Sequence, residues 1–183
     1  MQPMKQLESV LESLADAEHY LFAGSDFEAA LPDCRVLAVL LCRAQKAGVL
    51  KRVCRGIYLY PRVNYPRGLV LFHAAARLRA SGFSYLSLET ALSDAGVISQ
   101  VPINWITLMS SGRSQVVECG DFGRIEFVHT AQKPGELAEE LAYDVERRLW
   151  RASVRLALRD MRATHRAQDL VNPEVGSTWE PPG

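Results

Sequence analysis

One stretch, residues 34–60, limits what this chain can become more than any other: CRVLAVLLCRAQKAGVLKRVCRGIYLY. Its first half is an apolar pattern at helical spacing, with Val36, Leu37, Leu40, Leu41 and Ala44 recurring every three or four residues. Arg35, Arg43 and Lys46 fall outside that set. Gly48 follows the last basic residue, where a glycine closes many helices. Two short β-prone runs come next, residues 49–54 and 57–60, divided by Arg55-Gly56 at the position of a hairpin tip. A helix followed at once by a small basic hairpin is the layout of a winged helix-turn-helix. Such a domain offers the helix to the major groove of duplex DNA and the hairpin to backbone or minor groove.

Charge patterning points the same way. Residues 34–88 hold ten Lys/Arg and no Asp or Glu. The whole chain has 21 basic and 21 acidic residues, so a formal net charge of zero joins a segment of +10 to a remainder of −10. A surface that meets phosphates should exclude carboxylates, because each one repels the ligand and weakens counterion release. The competing reading is a solvated basic face with no ligand.

The flanking sequence supplies the other parts of such a domain. Residues 4–20 read as a first helix with Leu7, Val10, Leu11 and Leu14 as its buried stripe. Ser25 is placed to N-cap a short helix over 26–31, and Pro32-Asp33 turns the chain into the 34–48 helix. Residues 61–66 read as a linker. The expected DNA-binding set is Arg35, Arg43 and Lys46 on the helix and Lys51, Arg52 and Arg55 on the hairpin. Tyr58 packs beneath the hairpin, and Arg62 and Arg67 stand at the linker edges.

Beyond the linker the spacing predicts a helix over 67–80 and another over 88–95, capped by Ser87 and stopped by Gly96. Three β-prone runs follow, residues 105–109, 115–119 and 124–129. The turn residues between them suggest an antiparallel meander, with Ile125 and Phe127 facing inward. Then Arg148, Arg151, Arg155, Arg159, Arg162 and Arg166 recur at three and four. On a single 144–166 helix all six would share one ridge, a candidate partner surface. The expected class is therefore α+β: a winged helix-turn-helix over 1–66, a C-terminal α/β domain with a small antiparallel sheet over 67–169, and an irregular tail over 170–183.

Other functions find little support. Cys34, Cys42, Cys54 and Cys119 form no C-x-x-C pair, and His19, His73, His129 and His165 are scattered, so neither metal nor cofactor is expected. Gly24-Ser25 superficially suggests a nucleotidyltransferase, but Asp33-Cys34-Arg35 offers one carboxylate where that chemistry needs two or three. No phosphate-binding glycine loop or nucleophile motif is present, and no catalysis is expected. The longest apolar run is seven residues, residues 36–42, far short of a membrane span. The acidic, amphipathic N-terminal segment lacks the features of a signal peptide, so a cytoplasmic location is expected.

Two segments carry a family resemblance. Residues 52–58, RVCRGIY, resemble the R-V-x-R-G-x-Y hairpin of the AbiEi-type antitoxins. Residues 85–98, YLSLETALSDAGVI, are similar to that family's Y-[IV]-S-L-E-S-A-L…G-[LI] helix, in the same order. The resemblance runs over about residues 5–165. These antitoxins belong to type IV toxin–antitoxin systems, linked to abortive infection. The resemblance implies an antitoxin that represses its own operon, binding promoter DNA at inverted repeats as a monomer or homodimer, and counteracting a nucleotidyltransferase toxin. It also implies a helix start near Ser153, with strand or loop before it, although Val154 and Arg155 replace the family's Pro and Glu. The alternative is a protein- or RNA-interaction module whose basic face meets a partner other than promoter DNA.

Overall fold

The computed structural model describes residues 2–32, 34–99 and 104–166. The protein is mixed α+β with two sheets, and it divides into two compact units, Met1–Leu78 and Arg79–Gly183. The sequence reading drew its boundary after residue 66; in the structure the helical segment that follows belongs with the N-terminal unit. The tail expected over 170–183 lies outside the described residues.

The N-terminal unit begins with α1, Pro3–Leu14, which buries Leu7 and Leu11. The helix stops well before residue 20 because Asp16 Oδ1 accepts from the backbone N–H of Glu18 (2.8 Å) and His19 (2.6 Å), an alternative to continuing the helix. A strand too short to read from sequence follows, β1, Leu21–Ala23. Helix α2, Gly24–Ala30, starts ahead of the expected position, and Ser25 is not its cap. Asp26 Oδ2 instead accepts from the Ala23 N–H at 2.8 Å. Helix α3, Leu37–Lys46, buries Leu40, Leu41 and Ala44. Gly48 follows it at φ +72°, in the left-handed region expected of it.

Strands β2, Lys51–Cys54, and β3, Ile57–Leu59, form the expected hairpin, with Gly56 at φ +81° in its two-residue tip. Strand β1 pairs antiparallel with β3, giving a three-stranded sheet in the order β1-β3-β2. Phe22, Phe27, Leu40, Leu41, Val49, Leu50 and Tyr60 close the core between helices and sheet. Each such fully buried side chain contributes about 1.5–3 kcal/mol. The expected 67–80 helix is a 3-10 turn, Arg67–Leu69, running into α4, Val70–Leu78.

The C-terminal unit is built on six strands, in the order β6-β7-β5-β4-β9-β8. They are β4 (Ser84–Leu86), β5 (Trp105–Ser110), β6 (Gln115–Glu118), β7 (Arg124–His129), β8 (Leu141–Asp144) and β9 (Leu149–Ala152). The small antiparallel meander does not form: β5 pairs with β7 in parallel, and β6 pairs antiparallel on the far side of β7. Burial accounts for this order. Ile125 and Phe127 of β7 are fully buried and take an inner position, while β6, with Val116 half exposed, takes the edge.

Helix α5, Leu88–Asp94, and helix α6, Val154–Ala163, pack on one sheet face around Tyr85, Leu92, Met109, Leu156 and Met161. The 144–166 segment is not one helix. Strands β8 and β9 occupy its start, and α6 begins after Ser153, whose Oγ accepts from the Leu156 N–H at 3.1 Å.

Candidate nucleic-acid interface

Helix α3 has two opposed faces. Leu40, Leu41 and Ala44 face the core, Val39, Cys42 and Lys46 fall at spacings of three and four on the opposite side, and Arg35 stands in the turn just ahead of the helix. All four are exposed, as are Val36 and Arg43 beside them. The sequence reading counted Val36 as a core residue, yet it is 59% exposed. It sits in the N-cap position with non-helical backbone, which takes it off the buried stripe. Val39, at 49% exposure, and Cys42 were missed as members of this surface. Their spacing from Arg35 and Lys46 was the available signal. Arg35, Arg43 and Lys46 make no ion pair among the described residues.

The hairpin carries its own cations. Arg55 is exposed at the tip and Arg52 is exposed on β2, where its Nε donates to the Cys54 carbonyl oxygen at 3.3 Å. Lys51 is half-buried. Tyr58 pairs across the hairpin with Arg52 and meets the Phe27 ring edge-on at 6.0 Å, so it braces the hairpin from the core side. Arg67 is exposed, whereas Arg62 reaches back to Glu8 at 3.4 Å. Arg77 likewise pairs with Asp26.

The six C-terminal arginines are not one ridge. Arg148 and Arg151 belong to the β8–β9 hairpin and are exposed; Arg148 stands at φ +58°. That hairpin also exposes Val145, Tyr143 and Trp150, the last two meeting edge-on at 5.2 Å. On α6, Arg155 pairs with Glu140 at 2.7 Å, and Arg159 donates to Gln132 Oε1 at 3.0 Å. Hydrogen bonds from Arg155 and then Ser153 hold the Glu140 carboxyl below its usual range. Arg166 grips both oxygens of Glu126, at 2.7 and 3.0 Å, and Glu89 at 2.6 Å. Only Arg151 and Arg162 of the six make no such contact among the described residues.

Beneath α6 lies a polar cluster that sequence reasoning did not foresee. Asp160 is fully buried and accepts from Ser87 Oγ (2.7 Å), Tyr85 Oη (3.0 Å) and Gln132 Nε2 (3.3 Å). Burial outweighs those donors and raises the Asp160 carboxyl above its usual range. Burial, and then Asp160 itself, raise the Tyr85 hydroxyl too. With Ser87 sealed from solvent, the Ser–Asp contact offers no accessible nucleophile. Its role is to tie α6 to the β4–α5 junction.

Among the described residues no group of three His, Cys, Asp or Glu side chains is placed to hold a metal. No helix among them is long and apolar enough to cross a membrane. No known family model matches this chain, and no curated protein matches it.

Proposed function

We propose that this chain is an antitoxin and DNA-binding autorepressor of the AbiEi type, acting in the cytoplasm through an N-terminal winged helix-turn-helix. The observation that carries the reading is the solvent face of α3. Arg43 and Lys46 there, and Arg35 just ahead of it, make no ion pair among the described residues, and they stand within an acid-free run of 55 residues spanning 34–88. The order α1-β1-α2-α3-β2-β3, with β1 laid against β3, supports it as the connectivity of a winged helix. Arg35 reaches a base edge near the start of α3, Arg43 and Lys46 reach bases and phosphates, and Lys51, Arg52 and Arg55 hold the hairpin on the backbone. Arg67 extends that track. Arg62 is a lesser contributor, since Glu8 already engages it.

The test is binding of the purified protein to duplex DNA from upstream of its own gene. Contact with about five to eight phosphates gives a log–log salt slope of roughly −4 to −7. Affinity unchanged between low and physiological salt would overturn the reading. Joint replacement of Arg52 and Arg55 by Ala weakens binding to all sequences alike, whereas Arg35→Ala relaxes sequence preference. The antitoxin half is tested by co-expression with an adjacent nucleotidyltransferase gene product, whose toxicity the chain relieves. Inverted repeats are bound either by a monomer on each half-site or by a homodimer across both.

A second reading is a protein- or RNA-interaction module. The observation that favours it is the exposed Tyr143–Trp150 pair, with Arg151 on the next residue of β9. Retention of single-stranded RNA with no preference for the upstream duplex would select it.

A further inference from the structure

Among the described residues the N-terminal unit exposes three large apolar side chains: Val36 at the N-cap of α3, Val39 on its solvent face, and Leu14 at the end of α1. Val36 caps the first turn and its carbonyl oxygen accepts from the Val39 N–H at 3.0 Å, so the two lie at the same end of α3. Arg35, Arg43 and Lys46 surround them, and no carboxylate occurs anywhere from residue 34 to 88. The pair is too small to need a cover on hydrophobic grounds alone; what marks it is that it is the apolar element of an otherwise basic, acid-free surface.

Its frame identifies the cover. A helix of about 10–12 Å diameter fits a major groove about 12 Å wide. The groove walls are phosphates, which match the cations, and the only apolar group on its floor is the thymine 5-methyl. A second copy of this chain would set the same cations against each other. We infer that Val36 and Val39 read thymine methyl groups, so the DNA preferred by this protein carries thymine under the first turn of α3. The inference rests on the DNA-binding reading and adds the base chemistry to it. The valines exclude cytosine at those steps by offering no acceptor to its amino group, while Arg35 and Arg43 supply the donors that guanine takes.

Deoxyuridine tests this, since it removes the methyl and leaves every hydrogen-bonding group of thymine in place. The full chain first selects duplexes from a random-sequence pool. The selected duplex is then remade with deoxyuridine at one thymine at a time, and its affinity is measured for the wild type, Val36→Ala and Val39→Ala. Alanine is a better helix former than valine at position 39, and the Val36 side chain makes no capping hydrogen bond, so neither variant threatens α3. One or two positions lose about fourfold on demethylation with the wild-type protein, one buried methyl's worth. The same substitution costs nothing against the valine variant that faced that methyl.

A flat deoxyuridine series on a duplex bound with normal salt dependence overturns the thymine assignment and leaves the DNA-binding reading intact. Failure to select any duplex overturns both. A flat series with a dimer that Val39→Ala dissociates assigns the valine face to a second copy and also overturns the inference.

Discussion

Asp160 allows the energetics of the C-terminal unit to be worked from structure. Replacing it by alanine strands three donors: the Ser87 and Tyr85 hydroxyls, both fully buried, and the Gln132 amide, which is only half-buried and can be hydrated in place. Each stranded buried donor costs about 1–3 kcal/mol. Two full penalties, offset in part by no longer burying a carboxylate, give a loss of about 3 kcal/mol at neutral pH. Asp160→Asn keeps the shape and an acceptor for both hydroxyls, but aims an amide N–H₂ at that of Gln132. Gln132 cannot turn freely, because Arg159 holds its oxygen, so the cost is about 1 kcal/mol.

The pH dependence has a definite sign. Asp160 titrates higher folded than unfolded. Its contribution is therefore greatest below the unfolded value near 3.8 and is lost as pH rises through the folded value. Wild type thus loses ground to Asp160→Asn as pH rises through that window. Glu140 runs the other way, its lowered value giving stability that disappears as pH falls below about its ordinary 4.5. It is common to both proteins and cancels in their difference. All three tryptophans lie beyond residue 79, so their fluorescence during urea unfolding reports this unit. A loss below about 1 kcal/mol for Asp160→Ala, or a wild-type-minus-Asn difference that is flat with pH, would refute the reasoning.

Arg166→Ala leaves Glu89 and Glu126 without their shared cation, and with the site only partly exposed the loss is about 2 kcal/mol by urea unfolding. Lysine recovers only part of that, because it cannot span both Glu126 oxygens; an unaltered midpoint for either variant would remove Arg166 from the scaffold. Alkylation of Cys42, the exposed thiol, abolishes duplex binding, and Cys42→Ser is resistant; binding that survives complete alkylation would take DNA off this face. Changing Arg151 and Arg162 together to Glu leaves the unfolding midpoint within about 0.5 kcal/mol of wild type and reduces relief of toxicity. Full relief would show that these two cations meet no partner.

How much of this was legible depended on length and on burial. The body of α3 and the hairpin are legible in the sequence because their signals agree: apolar spacing, a closing glycine at 48, and a two-residue tip ending in Gly56; the helix start is not, since it begins at Leu37 and leaves Val36 off the buried stripe. Strands β1 and β4 have three residues each, too few for alternation to show. Strands β8 and β9 have four each, and β9 lies among arginines spaced at three and four, which mimic a helix. Sheet order was invisible because the placement of β7 between β5 and β6 follows from which strand has more to bury. The Asp160 cluster was equally hidden. Ser87 and Tyr85 lie more than 70 residues from it, and a single aspartate in an arginine-rich helix reads as a surface residue.

The arginines carry the general point. Periodicity tells which residues share a face; it does not tell what arrives opposite that face. The partners of Arg155 and Arg166 come from the turn ahead of β8, from α5 and from β7, at sequence separations of 15, 77 and 40. In a remainder with formal charge −10, acids are abundant and long-range contacts consume cations. The 34–88 run has no acids of its own, so its cations can be neutralised only by acids from elsewhere in the chain, two of which come from α1 and α2. Glu8 takes Arg62 and Asp26 takes Arg77. Arg35, Arg43, Lys46 and Arg55 are left unpaired among the described residues; Arg43 and Lys46 lie on α3 and Arg35 in the turn that leads into it. Local exclusion of carboxylates was therefore a better guide to free positive charge than arginine spacing. It works because a missing acid removes the short-range partner and leaves only remote ones, which geometry supplies to some positions and denies to others.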